Sequence, residues 1–162
     1  EFYKAVDSSQ SMCDLHPKAS NLEVLCFDFD SKDFLKNIKD EQYDLIISSS
    51  ALQWSKDIDT LLFYLSRISK NINVVLFGSN TFKSIYKITK HQSPILSQTQ
   101  IKKAFLKYFK CDFETINYNL EFNCKKEMFR YIKNSGVSSK ATLSFQEAKK
   151  LYDNKRYAQA IQ

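Results

Sequence analysis

The sequence predicts an α/β fold with a mostly parallel sheet, and three observations carry that expectation. Four short β-rich runs, at 2–7, 22–27, 43–48 and 72–77, recur through the first half of the chain. Two of them, Tyr43–Ser48 and Ile72–Phe77, are almost continuously apolar, the pattern of strands buried on both faces beneath helices. Between these two, Ile58, Leu61, Leu62, Leu65 and Ile68 recur at helical spacing, so the segment reads as strand, amphipathic helix, strand. That is a crossover unit.

The elements follow in order. Phe2–Val6 opens the chain, Leu22–Phe27 closes on Asp28, and Gly78 ends the fourth run. Asn80–Lys90 reads as a helix around Phe82, Ile85 and Tyr86, broken by Ser93-Pro94. Ser97 with Gln100 three residues later is a capping box, and Ile101, Ala104, Phe105 and Tyr108 supply the buried face of the helix it starts. Cys111–Phe122 carries Phe113, Ile116, Tyr118, Leu120 and Phe122, which predicts one long antiparallel strand with a register slip between Phe113 and Ile116. Lys125–Asn134 reads as a helix through Met128, Phe129 and Ile132, stopped near Gly136. Ser144 and Glu147 repeat the capping box before a last helix through Ala148, Leu151 and Tyr152.

Composition bounds the function classes. With 162 residues, 43% hydrophobic and 26% charged, the chain fits one folded domain with a core of its own. Its longest apolar runs, such as Asn73–Phe77, fall far short of the roughly 20 residues a spanning helix needs. No basic-then-apolar leader opens the sequence, so the expected location is cytoplasmic. Cys13, Cys26, Cys111 and Cys124 lack the spacing of a structural zinc site and read as reduced, mostly buried thiols. His16 and His91 are isolated and receive no chemistry. The net charge of +6 is unevenly spread: residues 1–82 hold 8 basic and 12 acidic side chains, residues 83–133 hold 11 basic and 4 acidic. The basic segment suits an acidic partner or nucleic acid, or is a solvated lysine-rich surface.

In an open parallel sheet, ligands bind beyond the carboxyl ends of the strands. Three of those ends are polar here: Asp7-Ser8-Ser9-Gln10-Ser11-Met12, Asp28-Phe29-Asp30, and Ser48-Ser49-Ser50-Ala51-Leu52-Gln53-Trp54. An acid at one strand end can accept both hydroxyls of a ribose, and a second acid nearby can accept an exocyclic adenine amine. Taken singly, each is also a common turn or cap residue, and a lone Met12 is more often a core filler than a cover for an adenine face.

Val6-Asp7-Ser8-Ser9 with Met12, then Asp28-Phe29, then Tyr43–Ser48 leading to Ala51-Leu52-Gln53-Trp54, resembles the successive cofactor motifs of class I S-adenosylmethionine-dependent methyltransferases. Gln53-Trp54, together with Met128-Phe129-Arg130-Tyr131-Ile132-Lys133-Asn134-Ser135-Gly136, is similar to the family that methylates the malonyl group on acyl carrier protein in biotin synthesis. The resemblance implies a three-layer, Rossmann-like sheet, mostly parallel with an antiparallel C-terminal strand. It divides the chain into a cofactor-binding part at 1–80 and an acceptor-binding, C-terminal part at 81–162. That family begins with a glycine-rich turn and ends on a further strand. This sequence has only Gly78 and Gly136 and stops at Ala160-Ile161-Gln162, so the expectation is an incomplete domain lacking both.

The resemblance also implies roles. S-adenosylmethionine would be the cofactor, with Ser8 among the residues that bind it, Asp7 at the ribose, Asp28 at the adenine amine, Phe29 offering a backbone amide to the ring and Met12 packing beside it. Ser48 and Leu52 would border the methionine portion, with Gln53 and Trp54 facing the acceptor. Arg130 would grip the acceptor carboxylate, since a guanidinium binds one bidentately. The partner would be an acidic acyl carrier protein carrying malonyl-phosphopantetheine, met by Lys83, Lys87, Lys90, Lys102, Lys103 and Lys107. Two other readings stay open: a nucleic-acid methyltransferase or binding module, and a non-catalytic, methyltransferase-like interaction protein.

Overall fold

The computed structural model describes residues 1–134, 145–153 and 158–161, as a mixed α/β chain of two compact units. The first unit holds 1–76 and 103–111, the second 77–102 and 112–162.

In the first unit, β1 (Tyr3–Asp7) leads through a short helix α1 (Gln10–Cys13) to β2 (Leu22–Cys26), and the two strands pair in parallel with Asp7 opposite Cys26. Helix α2 (Lys32–Ile38) starts where Ser31 Oγ accepts the Phe34 N–H at 3.1 Å, and it buries Phe34 and Ile38, four residues apart on one face. After β3 (Ile46–Ser49), a 3₁₀ turn at Leu52–Trp54 precedes α3 (Ile58–Ile68). Asp57 caps α3 by accepting the Thr60 N–H at 3.1 Å, and Asp59 in the first turn suits the helix dipole. The predicted stripe is the buried face of α3: Ile58, Leu61, Leu62, Leu65 and Ile68 all lie in the core. The chain returns as β4 (Ile72–Val75), parallel to β3 with Ile46 opposite Ile72, completing the crossover.

In the second unit, α4 (Lys83–Thr89) lies between Phe82 and Lys90, both in left-handed backbone, at φ 57° and 61°. Phe82 is buried, so its packing offsets a conformation a bulky side chain seldom adopts. Helix α5 (Gln98–Leu106) begins here on the expected capping box: Gln100 Oε1 accepts the Ser97 N–H at 2.9 Å, and Ser97 Oγ accepts the Gln100 N–H at 3.3 Å. Strand β5 (Tyr118–Glu121), helix α6 (Lys125–Asn134), helix α7 (Phe145–Asp153) and strand β6 (Ala158–Ile161) complete the unit, with α4 packed on α7 and β6.

Several expectations are corrected. The four parallel strands form two separate two-stranded sheets, β1-β2 and β3-β4, rather than one. The apolar runs are not buried on both faces: Ile47 is 73% and Val75 63% exposed, and β3 and β4 alternate. The long strand at 111–122 shrinks to Tyr118–Glu121, because its antiparallel partner offers only the four residues Ala158–Ile161. That partner is itself a strand where none was expected in this chain. Of the cysteines, only Cys13 is buried, while Cys26 and Cys124 are exposed. Gly136 and Ser144 lie outside the described residues.

Candidate functional site

Two strand ends stand side by side because β1 and β2 are in parallel register. Asp7 closes β1, and its Oδ1 accepts the Ser9 N–H at 2.8 Å, turning the chain sharply into α1. Asp28, two residues beyond Cys26, repeats the device: its Oδ1 accepts the Asp30 N–H at 2.9 Å. Each carboxylate thus spends one oxygen on its turn, and Oδ2 of each has no hydrogen bond among the described residues. Asp7 is half-buried, Ser8 and Asp28 are exposed, and Met12 on α1 is 50% exposed and so fills no core. The turn reading and the ligand reading of these acids are therefore compatible, one oxygen serving each.

Cys13 is the buried anchor beneath this turn. Its thiol donates to Asp7 O at 3.5 Å and approaches Leu25 O at 3.9 Å, tying α1 to both strands. Burial pushes the thiol above its ordinary value, with the neighbouring Cys26 thiol adding to the shift.

The third strand end is held against the second by a residue to which the sequence reading gave no role. Asp30 accepts Ser55 Oγ–H at 2.6 Å through Oδ1 and the Lys56 N–H at 2.7 Å through Oδ2, clamping the 3₁₀ turn's exit to the β2–α2 loop. Ser50, at φ 56°, turns the chain out of β3, and Gln53 Nε2 donates to Ser50 O at 2.8 Å. Gln53 is 5% exposed and its buried Oε1 has no hydrogen-bond partner among the described residues, while Leu52 is buried and Trp54 half-buried. Phe29, Ser48, Ala51 and Leu52 line the carboxyl end of a cavity of about 190 Å³ that continues between β1 and β3 as far as Lys4 and Tyr43.

The first unit therefore brings Asp7, Ser8, Met12, Asp28, Phe29, Ser48, Leu52, Gln53 and Trp54 to strand ends and the loops that leave them. Arg130 belongs to the second unit, exposed on α6. Among the six lysines expected to meet a partner, Lys107 is committed to Asp59 at 2.6 Å, and Lys102 lies 5.5 Å over the Phe113 ring. The cluster at the strand ends offers carboxylate oxygens and one buried amide oxygen, which are acceptors for hydroxyl and amine donors.

Over 135 residues the chain is 28% identical to the malonyl-[acyl-carrier protein] O-methyltransferase of Haemophilus influenzae. The chain is similar to a methyltransferase. The alignment covers 79% of this chain and 51% of that protein, so the chain spans about half the length of the curated relative it matches. No protein-family model matches the chain. No helix among the described residues is long and apolar enough to cross a membrane.

Proposed function

We propose that this chain is the adenosine-binding and acceptor-binding portion of an S-adenosylmethionine-dependent methyltransferase that methylates the free carboxylate of malonyl-acyl carrier protein in the cytoplasm, early in biotin synthesis. The observation that carries the proposal is the pair of acids at adjacent parallel strand ends, Asp7 and Asp28, each with one oxygen still open. In this reading, residues 1–80 hold the cofactor and residues 81–162 the acceptor, within a three-layer sheet.

The residues present fit an adenosine. Asp7 Oδ2 accepts ribose hydroxyls beside Ser8, and Asp28 Oδ2 accepts the adenine amine. Phe29 presents its backbone amide and lines the cavity beneath, and the exposed thioether of Met12 covers the ring. Ser48 and Leu52 border the methionine portion. Gln53, whose buried Oε1 has no partner among the described residues, and Trp54 face the acceptor. When bound, the cofactor supplies a methyl group already activated on a sulfonium, so the chain's task is to align a carboxylate that is already a nucleophile. Arg130 does this as a planar, bidentate clamp on the malonyl carboxylate. Malonyl-phosphopantetheine arrives on an acidic carrier protein, and the basic segment 83–133 speeds that encounter.

Calorimetric titration of S-adenosylmethionine into the wild-type protein and Asp7→Ala tests the reading. Removing a charged hydrogen-bond acceptor costs about 1.5–3 kcal/mol, a weakening of roughly 10- to 150-fold. Equal affinity in a folded Asp7→Ala protein would confine Asp7 to its turn.

A further inference from the structure

Helix α1 touches both β1 and β2, and its buried side chain brings a thiol to the end of their ladder. Cys13 Sγ lies 3.5 Å from Asp7 O and 3.9 Å from Leu25 O. Asp7 stands opposite Cys26 in register and Leu25 immediately precedes Cys26, so the two contacts place the Cys13 sulfur at the Asp7–Cys26 pair. There it meets a second thiol, since the Cys13 and Cys26 side chains are hydrogen-bonded to each other.

The two thiols differ in access. Cys26 is exposed and Cys13 is buried. A dissolved reagent therefore reaches Cys26 first, while the thiol against it is shielded from the same reagent. Cys124 is also exposed, but it belongs to the second unit, which holds no other cysteine. Helix α1 is a four-residue turn whose N-cap, Ser9, makes no side-chain cap hydrogen bond. Bringing the sulfurs from contact to the roughly 2.0 Å of a disulfide thus asks one short, weakly held element to shift.

We infer that Cys26 and Cys13 form a thiol–disulfide exchange site, which small-molecule disulfides oxidise to a Cys13–Cys26 bridge and small thiols reduce again. In the first step the Cys26 thiolate attacks one sulfur of the incoming disulfide and bonds to it, and the other half leaves as a thiolate that takes up the proton Cys26 lost. In the second step Cys13 gives up its proton and its sulfur attacks Cys26 Sγ, releasing the remaining half as a thiol. Two protein thiols are oxidised by two electrons, and one small disulfide is reduced to two thiols. The bridge takes the Cys13 S–H away from Asp7 O and ties α1, which carries Met12, covalently to β2. In a reducing compartment such a pair rests as thiols, so the bridge is a reversible response to an oxidant and not a permanent staple. The inference stands on the thiol pair, independently of the methyltransferase reading.

The test treats the folded full chain with oxidised glutathione, blocks the remaining thiols by alkylation and reads the tryptic peptides by mass spectrometry. Lys18 lies between the two cysteines, so trypsin separates them into the peptides 5–18 and 19–32, which stay joined only through a bridge. The wild-type protein should give this joined pair, about 2 Da lighter than the sum of the two, while a glutathione adduct accumulates on Cys124 and not on Cys26. Dithiothreitol should then restore all four thiols. Cys13→Ser keeps a donor for Asp7 O but has no sulfur to complete the exchange, so the adduct on Cys26 should persist, about tenfold or more above its wild-type level. A lasting adduct on wild-type Cys26 at the level seen on Cys124 would overturn the inference, as would Cys26 left untouched while Cys124 reacts. A joined pair that forms no faster in the native chain than in urea would overturn it too, because closeness in sequence and not the fold would then account for the bridge.

Discussion

Replacing Asp30 with alanine should release the turn that carries Gln53 and Trp54 while leaving the core intact. The carboxylate accepts two short hydrogen bonds, from Ser55 Oγ at 2.6 Å and the Lys56 N–H at 2.7 Å, across 25 and 26 residues of sequence. Hydrogen bonds to a charged group contribute about 1.5–3 kcal/mol each, and here one is half-buried and the other exposed, so the lower figure for the two together is the reasonable scale. Because Lys56 sits in the clamp, trypsin reads its opening directly. A local loss of about 1.5 kcal/mol should raise the rate of cleavage after Lys56 roughly tenfold when opening is fast relative to cleavage. Asp30→Asn keeps one acceptor oxygen but sets an NH2 donor where the other bond needs an acceptor, so it should fall between the two. Cleavage at the wild-type rate in Asp30→Ala, with an unchanged urea midpoint, would show that the clamp does not hold the turn.

Phe105, fully buried with its ring 6.5 Å from Phe109, should cost about 3–5 kcal/mol when replaced by alanine, read as a shift in the urea midpoint. The carboxyls at the start of α3 set an acid-side dependence: the hydrogen bond from Thr60 holds Asp57, and that from Lys107 holds Asp59, below the ordinary value of 3.8. Their contribution is fully present above that value and is lost as pH falls through the lower folded values, so Tm should drop more steeply below about pH 4 in wild type than in Asp59→Asn. Under the proposed function, Arg130→Ala should slow methyl transfer to malonyl carrier protein about 100-fold with S-adenosylmethionine affinity unchanged, and Arg130→Lys should recover little. Parallel losses of rate and cofactor affinity would make Arg130 structural.

What was legible in the sequence is what local physics decides. The stripe from Ile58 to Ile68 fixed α3 to the residue, and Lys125–Asn134 and the Ser97–Gln100 box appear as read, because periodicity and capping are properties of a single segment. Strand limits depend on partners. Tyr43–Leu45 read as strand, yet the Tyr43 N–H donates to Ile68 O, and pairing with β4 begins only at Ile46. The exposure of Ile47 and Val75 was illegible for the same reason, since an apolar run states what a strand tolerates and not what covers it. Asp7, Asp28 and Ser48 were found as strand-end polar residues. Asp30, named in the same strand end, received no role because that role is a contact with a loop 25 residues away.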